Sequence, residues 1–336
     1  MEPGRRGPGV RILIVKLSSL GDVVQAMPVV SDLRAALPHA TIDWVVEESF
    51  APLVECVVGV ERVLRFAGRR WRKSWLDAAT RAERTAFLTA LRAVAYDAVL
   101  DIQGLIKSGM VARRARISAQ GFRATYGNRS EECGYEWPTR FFANRLVPMP
   151  RRVHAVQRYR VLAAGALGYE LRTPPVYGLR VDRPAPVRAV VLAHGTTRPD
   201  NEWPQAHWAA IGQRLAADGF AVWLPHASDT ELRLATALAA SIGTRARIWP
   251  RLSLVGVLQE MAAATGVIGV DSGLSHMAVA LDLLHVQIFS YPRAWRAGPV
   301  GHAHQVPVGG ERAPSVDEVW AAWQGVLAAT PRPVPH

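Results

Sequence analysis

The chain has 336 residues, which is long for a single hydrophobic core and sufficient for two domains. Hydrophobic residues make up 49% and charged residues 20%, a composition that excludes a disordered chain and is typical of soluble globular proteins. The formal net charge of +12, carried mainly by arginine, predicts an anionic partner: nucleic acid, an acidic membrane surface or a phosphorylated substrate.

Neither a membrane span nor a secretory signal is predicted. No apolar run is long enough to cross a bilayer, and residues 1–10 contain no apolar core of a signal peptide, so we interpret them as a disordered leader. Cys56 and Cys133 show no metal-ligand spacing. Two isolated cysteines indicate free thiols in a reducing cytoplasm.

The most informative stretch is residues 11–28, with the sequence RILIVKLSSLGDVVQAMP. It predicts a strand that leads into a helix through a glycine-containing turn. Because ligands bind at the carboxyl ends of the strands in an open parallel sheet, Asp22 would lie at the rim of a binding crevice. Asp22 is either a helix cap or a catalytic carboxylate, and the local pattern by itself favours the cap.

The rest of the chain alternates between the two periodicities. In the first half we predict a strand, a turn and the start of a helix within 41–50, strands at 60–66 and 96–103, and helices at 84–94 and 154–167, whereas 118–150 has no sustained period. The second half predicts strands at 188–193, 220–224, 247–249, 266–270 and 285–289, and helices at 208–218, 231–242, 253–264, 276–281 and 316–329.

This alternation predicts an α/β fold with two Rossmann-like domains, each with a parallel sheet, facing each other across a cleft. Prolines cluster between the two halves, where they resist both helix continuation and central strand pairing. The predicted organisation is therefore a leader at 1–10, an N-terminal domain at 11–172, a linker at 173–187 and a C-terminal domain at 188–330.

Two segments of the second half follow strands and carry candidate ligand groups. In HGTTRPDNEWP, residues 194–204, hydroxyls and a guanidinium can bind a phosphate, or the same residues can simply cap a helix. In IGVDSGLSHMAVALD, residues 268–282, a strand leads into a helix whose free amides suit an anion. Together they favour a nucleotide-diphosphate site, and neither matches an ATP-hydrolysing P-loop.

Several motifs in order along residues 11–330 resemble one family. They are KLSSLGDVVQAMP, WVVEESFAPL, RRWRKSW, DIQGLIKSG, HGTTRPDNEWP, LPHASDTELRLA, PRLSLVGV and VDSGLSHMAVALD. The chain is similar to the lipopolysaccharide heptosyltransferases of glycosyltransferase family 9, and most similar to the branch that adds the first heptose to the Kdo–lipid A acceptor.

The resemblance implies a GT-B fold whose N-terminal domain binds the lipid acceptor and whose C-terminal domain binds ADP-heptose. It implies inverting heptosyl transfer without a metal or another cofactor, by a monomeric cytoplasmic protein that is peripheral to the inner membrane. No nucleic-acid partner is implied.

The family's residue roles carry over onto matching positions. Asp22 would be the general base on the acceptor hydroxyl, Glu231 would hold the ribose and Asp271 a donor hydroxyl. The implied donor-binding residues are Thr196, Thr197, Arg198, Asn201, Glu231, Asp271, Ser272, Gly273, Leu274, Ser275 and His276. The implied acceptor-binding residues are Lys16, Ser19, Gly21, Arg69, Arg70, Arg72 and Lys73, with Trp71 and Trp75 at the level of the lipid headgroups.

Two departures from the family pattern bear on the donor. Asn201 stands where the family has a lysine that neutralises the diphosphate, and FSYPRAW replaces a small loop after the strand that ends near Phe289. Arg198 can compensate for the lysine, and Arg293 and Arg296 are alternative phosphate ligands.

Three alternatives stay open. A second- or third-type heptosyltransferase would keep the fold and the base but use a heptosylated acceptor. A catalytically weakened homologue would keep binding alone. A basic nucleic-acid-binding protein fits the charge, but the chain has no recognisable nucleic-acid module and that reading leaves both donor motifs unexplained.

Overall fold

The computed structural model describes residues 9–196, 198–300 and 302–329. The chain forms two compact units, Met1–Arg180 and Val181–His336, and each is built on a six-stranded parallel sheet with helices. The α/β class predicted from the sequence is confirmed. Within the described ranges, no helix is both long and apolar enough to cross a membrane.

The N-terminal unit alternates strands and helices as expected. Its strands are β1 Arg11–Val15, β2 Thr41–Glu47, β3 Val60–Phe66, β4 Tyr96–Asp101, β5 Ile117–Tyr126 and β6 Arg145–Val147. Its α-helices are α1 Leu20–Ala26, α2 Pro28–Ala36, α3 Ala51–Val54, α4 Gly68–Lys73, α5 Ala78–Arg92, α6 Ile106–Arg114 and α7 Ala155–Leu167. Two 3-10 helices occupy Glu48–Phe50 and Trp137–Phe142.

The C-terminal unit repeats the pattern. Its strands are β7 Val187–Ala193, β8 Ala221–Leu224, β9 Ala246–Ile248, β10 Ala264–Val270, β11 Leu284–Phe289 and β12 Gln305–Gly309. Its α-helices are α8 Gln205–Ala217, α9 Asp229–Ile242, α10 Leu254–Ala263, α11 Gly273–Ala280, α12 Ala294–Ala297 and α13 Val316–Ala328. A 3-10 helix occupies Pro199–Asn201.

Both sheets have the same strand order. The order is β3-β2-β1-β4-β5-β6 in the first sheet and β9-β8-β7-β10-β11-β12 in the second, and the strands pair in parallel. The winding direction therefore reverses between β1 and β4 and between β7 and β10. In open α/β sheets, ligands bind at this reversal, outside the carboxyl ends of the strands.

The central strands are apolar because helices cover both of their faces. Leu13 and Val15 of β1 and Val99 of β4 are fully buried in the core of the N-terminal unit. In the C-terminal unit, Trp208 and Trp323 are fully buried in the corresponding core. These two tryptophans lie on α8 and α13 and pack in the core of the unit, whereas loops follow the carboxyl ends of the strands.

A buried ion pair anchors α7 in the N-terminal unit. Arg160 of α7 donates from Nε and Nη2 to the two carboxylate oxygens of Asp32 on α2, over 2.7 and 2.9 Å. Nη2 also donates to the carbonyl of Thr173 over 2.7 Å. Removal of either partner of such a pair leaves a buried charge uncompensated, at a cost of about 3–5 kcal/mol. The pair therefore fixes α7, and with it the neighbouring residue Tyr159.

Sequence periodicity missed the edge strands β6 and β12, and it also missed β5, which lies between β4 and β6. Residues 118–150 contain most of β5 and all of β6, and the register of β5 against β4 shifts between Tyr96 and Ala98. Edge strands are covered on fewer sides, so their sequences lack the continuous apolar runs that identify central strands.

Candidate functional site

The loop after β1 is held by its neighbours. The Oε1 atom of Gln103, which follows β4, accepts hydrogen bonds from the backbone N–H groups of Leu17 and Ser18 over 2.7 and 3.2 Å. The indole of Trp44 in β2 donates to the carbonyl of Lys16 over 3.1 Å. The path of the loop is thus fixed by residues from the strands on either side.

The carboxylate of Asp22 projects from the first turn of α1, and 30% of the side chain is exposed. Its Oδ2 accepts hydrogen bonds from the amide and the hydroxyl of Ser19 over 3.2 and 2.9 Å. Its Oδ1 accepts one from the hydroxyl of Tyr159 over 2.7 Å. Asp22 is therefore a member of a capping box and also an oriented, solvent-accessible carboxylate, so the two interpretations are compatible.

Lys16 is a buried cation next to this carboxylate. Its Nζ lies 3.8 Å from Oδ1 of Asp22 and 4.6 Å from the centroid of the Tyr159 ring. Only 3% of Lys16 is exposed, so it is positioned to orient Asp22 more directly than to reach a large ligand. Of the other residues expected here, Ser19 is the N-cap of α1 and Gly21 lies in its first turn.

Asp101, at the end of β4, is a fully buried carboxyl group behind this loop. Its Oδ1 accepts hydrogen bonds from the amides of Gln103 and Gly104, each over 3.2 Å. Burial raises the pKa of Asp101 to about 6, although hydrogen bonds from Ser108 and the two amides, and the charge of Lys16, act in the opposite direction. A carboxyl group with a raised pKa at the switch point is a feature that selects this edge as a candidate functional site.

The basic segment forms α4 and is partly neutralised within the fold. The guanidinium of Arg70 binds Glu48 and Glu83 over 2.9 and 2.7 Å, and these bonds raise the pKa of Arg70. The indole of Trp71 donates to Glu83 over 2.8 Å and packs edge-on against Phe66. Trp71 is therefore a core residue and does not reach lipid headgroups.

The other residues of this segment remain accessible. The amide of Arg69 donates to Glu47 over 2.8 Å, and its guanidinium lies 5.6 Å from the centroid of the Phe50 ring. Arg72 and Lys73 are exposed, and 62% of Trp75 is exposed. The predicted acceptor cluster therefore presents Arg69, Arg72 and Lys73, whereas Arg70 also holds α4 to its surroundings.

In the C-terminal unit, the loop after β7 contains Thr196 and Arg198, and Thr197 lies outside the described residues. The hydroxyl of Thr196 accepts a hydrogen bond from the amide of Arg198 over 3.2 Å. The guanidinium of Arg198 pairs with Asp200 over 2.9 Å and lies 4.9 Å from the centroid of the Tyr291 ring.

Glu231 meets this loop from the start of α9. Its Oε2 accepts hydrogen bonds from the amides of Ala227 and Ser228 over 2.6 and 3.3 Å, which forms a capping box. A Cβ atom at Gly195 would lie only 2.6 Å from Oε1 of Glu231. Glycine is thus required at position 195 for Glu231 to approach the end of β7 this closely.

Asn201 is fully buried and connects two loops. Its Nδ2 donates over 3.0 Å to the backbone carbonyl of Asp271, the residue that follows β10. A buried amide in this position fixes the loop after β7 to the loop after β10. The residue that replaces the family's lysine therefore has a structural role.

The side chain of Asp271 lies at the centre of a polar network. Its Oδ1 is 3.1 Å from Nε2 of His276 and accepts a hydrogen bond from Gln287 over 3.3 Å. Its Oδ2 is 3.8 Å from Nε of Arg293, whose Nη1 donates to the hydroxyl of Tyr291 over 3.0 Å. Asp271 thus lies between a histidine and an arginine.

Helix α11 begins directly after this aspartate, with Ser272 as its N-cap. The first amides of the helix, from Gly273 to Ser275, have no acceptors one turn earlier, which makes them donors for an anion. The hydroxyl of Ser275 is buried and donates to the carbonyl of Val270 over 2.6 Å, so only its backbone can contribute.

Sequence reasoning missed several residues of both sites. Tyr159, Gln103 and Asp101 belong to the first site, and Gln287 belongs to the second. Asp101 and Gln103 lie in the quoted DIQG motif, whose position after a strand was an available signal. Tyr159 lies more than a hundred residues from Asp22, and no local pattern connects the two.

The family model of glycosyltransferase family 9 (heptosyltransferase) matches residues 84–319. Lipopolysaccharide heptosyltransferase 1 of Escherichia coli strain K12 is 38% identical over 293 residues, covering 83% of this chain and 88% of that protein. The structure of E. coli heptosyltransferase WaaC with ADP is 35% identical, with a TM-score of 0.83 over 96% of this chain and all of that one. The same enzyme with ADP-2-deoxy-2-fluoro heptose gives a TM-score of 0.78 over the same shares.

Asp101→Asn tests the buried carboxyl group. In the folded protein Asp101 binds its proton near pH 6, against 3.8 ordinarily, so between these values the folded state holds the extra proton. Stability contributed by this group is therefore lost as pH rises from about 4 to about 6. We expect the variant to gain stability relative to the unsubstituted chain over this range, measured by urea unfolding of the full chain.

The matched control for this experiment is Asp77→Asn, which alters an exposed carboxylate of the same unit. The control should follow the unsubstituted chain at each pH. A stability difference between Asp101→Asn and the unsubstituted chain that is the same at pH 4 and pH 7 would contradict the assignment.

Proposed function

Because the chain belongs to glycosyltransferase family 9, the heptosyltransferases, we propose that it transfers heptose from ADP-heptose to a Kdo residue of Kdo–lipid A. The product would be an inner-core intermediate of lipopolysaccharide. The observation that carries the proposal is the oriented and partly exposed carboxylate of Asp22 beside the switch point of the N-terminal sheet.

Asp22 is suited to act as the general base. A sugar hydroxyl is a poor nucleophile until a positioned carboxylate removes its proton during attack. Tyr159 and Ser19 fix the carboxylate, and Lys16 places a positive charge 3.8 Å from the oxygen that Tyr159 binds. We assign Lys16 and Tyr159 as positioning residues that act through Asp22.

The donor fits the loops after β7 and β10. The structures of E. coli WaaC, with ADP and with a fluorinated ADP-heptose, support a nucleotide-sugar donor for this chain. The amides of Gly273 to Ser275 would bind the diphosphate, where negative charge develops as the bond to heptose breaks. Glu231 would bind the ribose and Asp271 a heptose hydroxyl.

In this chain, arginines would supply the positive charge that the family's lysine places next to the donor diphosphate. Asn201 is buried and occupied with the Asp271 carbonyl, so it is not placed to neutralise a phosphate. Arg293 and Arg198 both contact Tyr291, and Nε of Arg293 lies 3.8 Å from Asp271, which precedes the N-cap of α11. A guanidinium binds phosphate through paired N–H donors, so either residue can replace a lysine at this site.

The acceptor would be bound by Arg69, Arg72 and Lys73 of α4, whose charges suit the carboxylates of Kdo and the phosphates of lipid A. A second- or third-type heptosyltransferase would share the base and the donor site. An assay of the purified chain with ADP-heptose separates these alternatives. Transfer to Kdo–lipid A supports the proposal, and transfer only to a heptosylated acceptor favours the alternative.

A lipid-linked acceptor implies that the enzyme works at a membrane, and the N-terminal unit has an exposed aromatic surface that could bind one. Trp137 and Phe141 are 64% and 71% exposed, with their ring centroids 5.5 Å apart. Helix α6 lies alongside their 3-10 helix, since a Cβ atom at Gly109 would touch the Phe142 ring. We propose that this aromatic surface docks on an anionic bilayer at the cytoplasmic face of the inner membrane.

The charges around the aromatic surface suit that partner. Helical periodicity places Ile106, Met110 and Arg113 along one exposed face of α6, and Arg140 lies between the two aromatic residues. Arg113 and Arg140 make no ion pair with a described residue. Exposed apolar side chains with arginines on the same two helices bind anionic lipid by burial and by charge attraction together.

Asp22→Asn should abolish most transfer without loss of donor binding. The amide keeps the shape and still accepts a hydrogen bond from Tyr159, but it cannot take a proton, so we expect kcat to fall by about 10²–10⁴-fold. The measurements are ADP release with Kdo–lipid A and calorimetric binding of ADP. Asp77→Asn is the control, and turnover retained by Asp22→Asn would remove Asp22 as the base.

Arg293→Gln should weaken ADP binding. Loss of one charge-assisted hydrogen bond costs about 1.5–3 kcal/mol, which corresponds to roughly a tenfold to hundredfold higher Kd. Arg312→Gln is the control, because Arg312 lies in the same unit and pairs with Glu318 on α13. Equal ADP affinity in both variants would assign the cationic role to another residue.

The double variant Trp137→Ser/Phe141→Ser should lose binding to vesicles that contain anionic lipid. We expect several-fold weaker co-sedimentation and unchanged activity on a detergent-dispersed acceptor, since the aromatic residues act only on the membrane. Val176→Ser, an exposed apolar residue of the same unit, is the control. Undiminished vesicle binding by the double variant would contradict the surface, and lost activity on the dispersed acceptor would point to a different role.

A further inference from the structure

Two histidines and an aspartate meet at the amino-terminal edge of the C-terminal sheet. Asp282 lies in the turn between α11 and β11, and His302 and His304 lie directly before β12. We refer to Asp282, His302 and His304 as the distal cluster. The loops of the candidate donor site follow the carboxyl ends of β7 and β10, at the other edge of the same sheet, so the distal cluster has no part in the proposed transfer.

The ligand atoms of the distal cluster converge. Each residue offers one nitrogen or oxygen, and these atoms all lie within 4.8 Å of one another. Nε2 of His304 is 2.7 Å from Oδ1 of Asp282, and the two imidazole centroids are 5.2 Å apart. The two histidines lie in a turn before β12, closed by a hydrogen bond from the amide of Gln305 to the carbonyl of His302 over 3.2 Å, and this turn keeps both imidazoles beside Asp282.

The backbone on both sides of the distal cluster is tied down. Asp282 has a φ of 57°, and its amide donates to the carbonyl of Val279 over 3.1 Å. The carbonyl of His304 accepts a hydrogen bond from the amide of His285 over 2.9 Å. The buried side chain of Gln305 donates to the carbonyl of Leu283 over 3.2 Å. The turn and the start of β12 are therefore joined before any ligand binds.

We propose that the distal cluster binds a divalent transition-metal ion of the Zn²⁺ or Ni²⁺ type. Two imidazoles and one carboxylate are typical ligands of Zn²⁺, and water can complete the coordination. One carboxylate with two nitrogens is a poor set for Mg²⁺ or Ca²⁺, which take oxygen ligands. Since metal–ligand bonds are about 2.0–2.2 Å and Zn²⁺ is typically tetrahedral, two ligand atoms of one ion are about 3.4 Å apart. His302 and Asp282 are exposed, so rotation of their side chains would bring the ligand atoms to that separation when the ion binds.

A bound ion would connect the α11–β11 turn to β12. The ion would bind Asp282 and the two histidines together only in the folded state, because Asp282 is about 20 residues away in the sequence. Binding would therefore stabilise the folded state by mass action. The consequence for the protein is a metal-dependent gain in the stability of this unit.

The experiment titrates the full, untagged chain with Zn²⁺ alone, in a thiol-free reductant, by calorimetry and by thermal unfolding. We expect one Zn²⁺ per chain and a higher Tm, with no such effect from Mg²⁺. The variant His302→Gln/His304→Gln should bind Zn²⁺ more than about tenfold more weakly, since even the outer partners of metal ligands matter by that factor. His39→Gln, which alters an exposed histidine of the other unit, should behave like the unsubstituted chain.

Asp282→Asn provides a second variant that should fold normally, because asparagine tolerates a left-handed backbone. It keeps a hydrogen-bond partner for His304 but removes the negative charge, so Zn²⁺ affinity should fall while Tm without metal stays close to the unsubstituted value. Unchanged Zn²⁺ affinity in the double-histidine variant, or a Tm gain from Zn²⁺ that persists in it, would overturn the proposal.

Discussion

The reversal of winding in each sheet is the constraint on which both candidate sites depend. In the N-terminal unit it brings the loop after β1 beside the loop after β4, so that Gln103 can hold the backbone at Leu17. In the C-terminal unit the same reversal brings the loop after β7 beside the loop after β10, where Asn201 reaches the carbonyl of Asp271. One amide side chain thus joins the two loops in each unit, although the two sheets share no residues.

The two sites differ in how they treat charge. The N-terminal site buries a lysine and a carboxyl group, Lys16 and Asp101, behind a single accessible carboxylate. Burial of Asp101 raises its pKa to about 6, so this one carboxyl group behind Asp22 holds its proton to a higher pH than an exposed aspartate does. The C-terminal site instead combines the first amides of α11 with Arg293 beside Asp271, and helix amides of this kind suit an anion. The proposed roles of base and donor binder follow from this difference.

Sequence periodicity predicted the fold class and the central strands because those strands are continuous apolar runs. It missed β5, β6 and β12, whose positions toward the edges of the sheets weaken that pattern. The motifs located the loops that carry Asp22, Thr196 and Asp271, since a strand followed by glycine and a helix is a local signal. They could not supply the partners: the Tyr159 bond to Asp22 and the burial of Asn201 and Trp71 arise from tertiary packing.

Because Arg160 immediately follows Tyr159, the ion pair in the interior of the N-terminal unit is coupled to the carboxylate of Asp22. A shift of α7 that relaxed the ion pair with Asp32 would also move the phenol away from Asp22. A substitution at Asp32 would then change the orientation of Asp22 as well as the thermal stability of the protein. The residue at position 32 of α2 is therefore constrained by the geometry around Asp22 as well as by the stability of the fold.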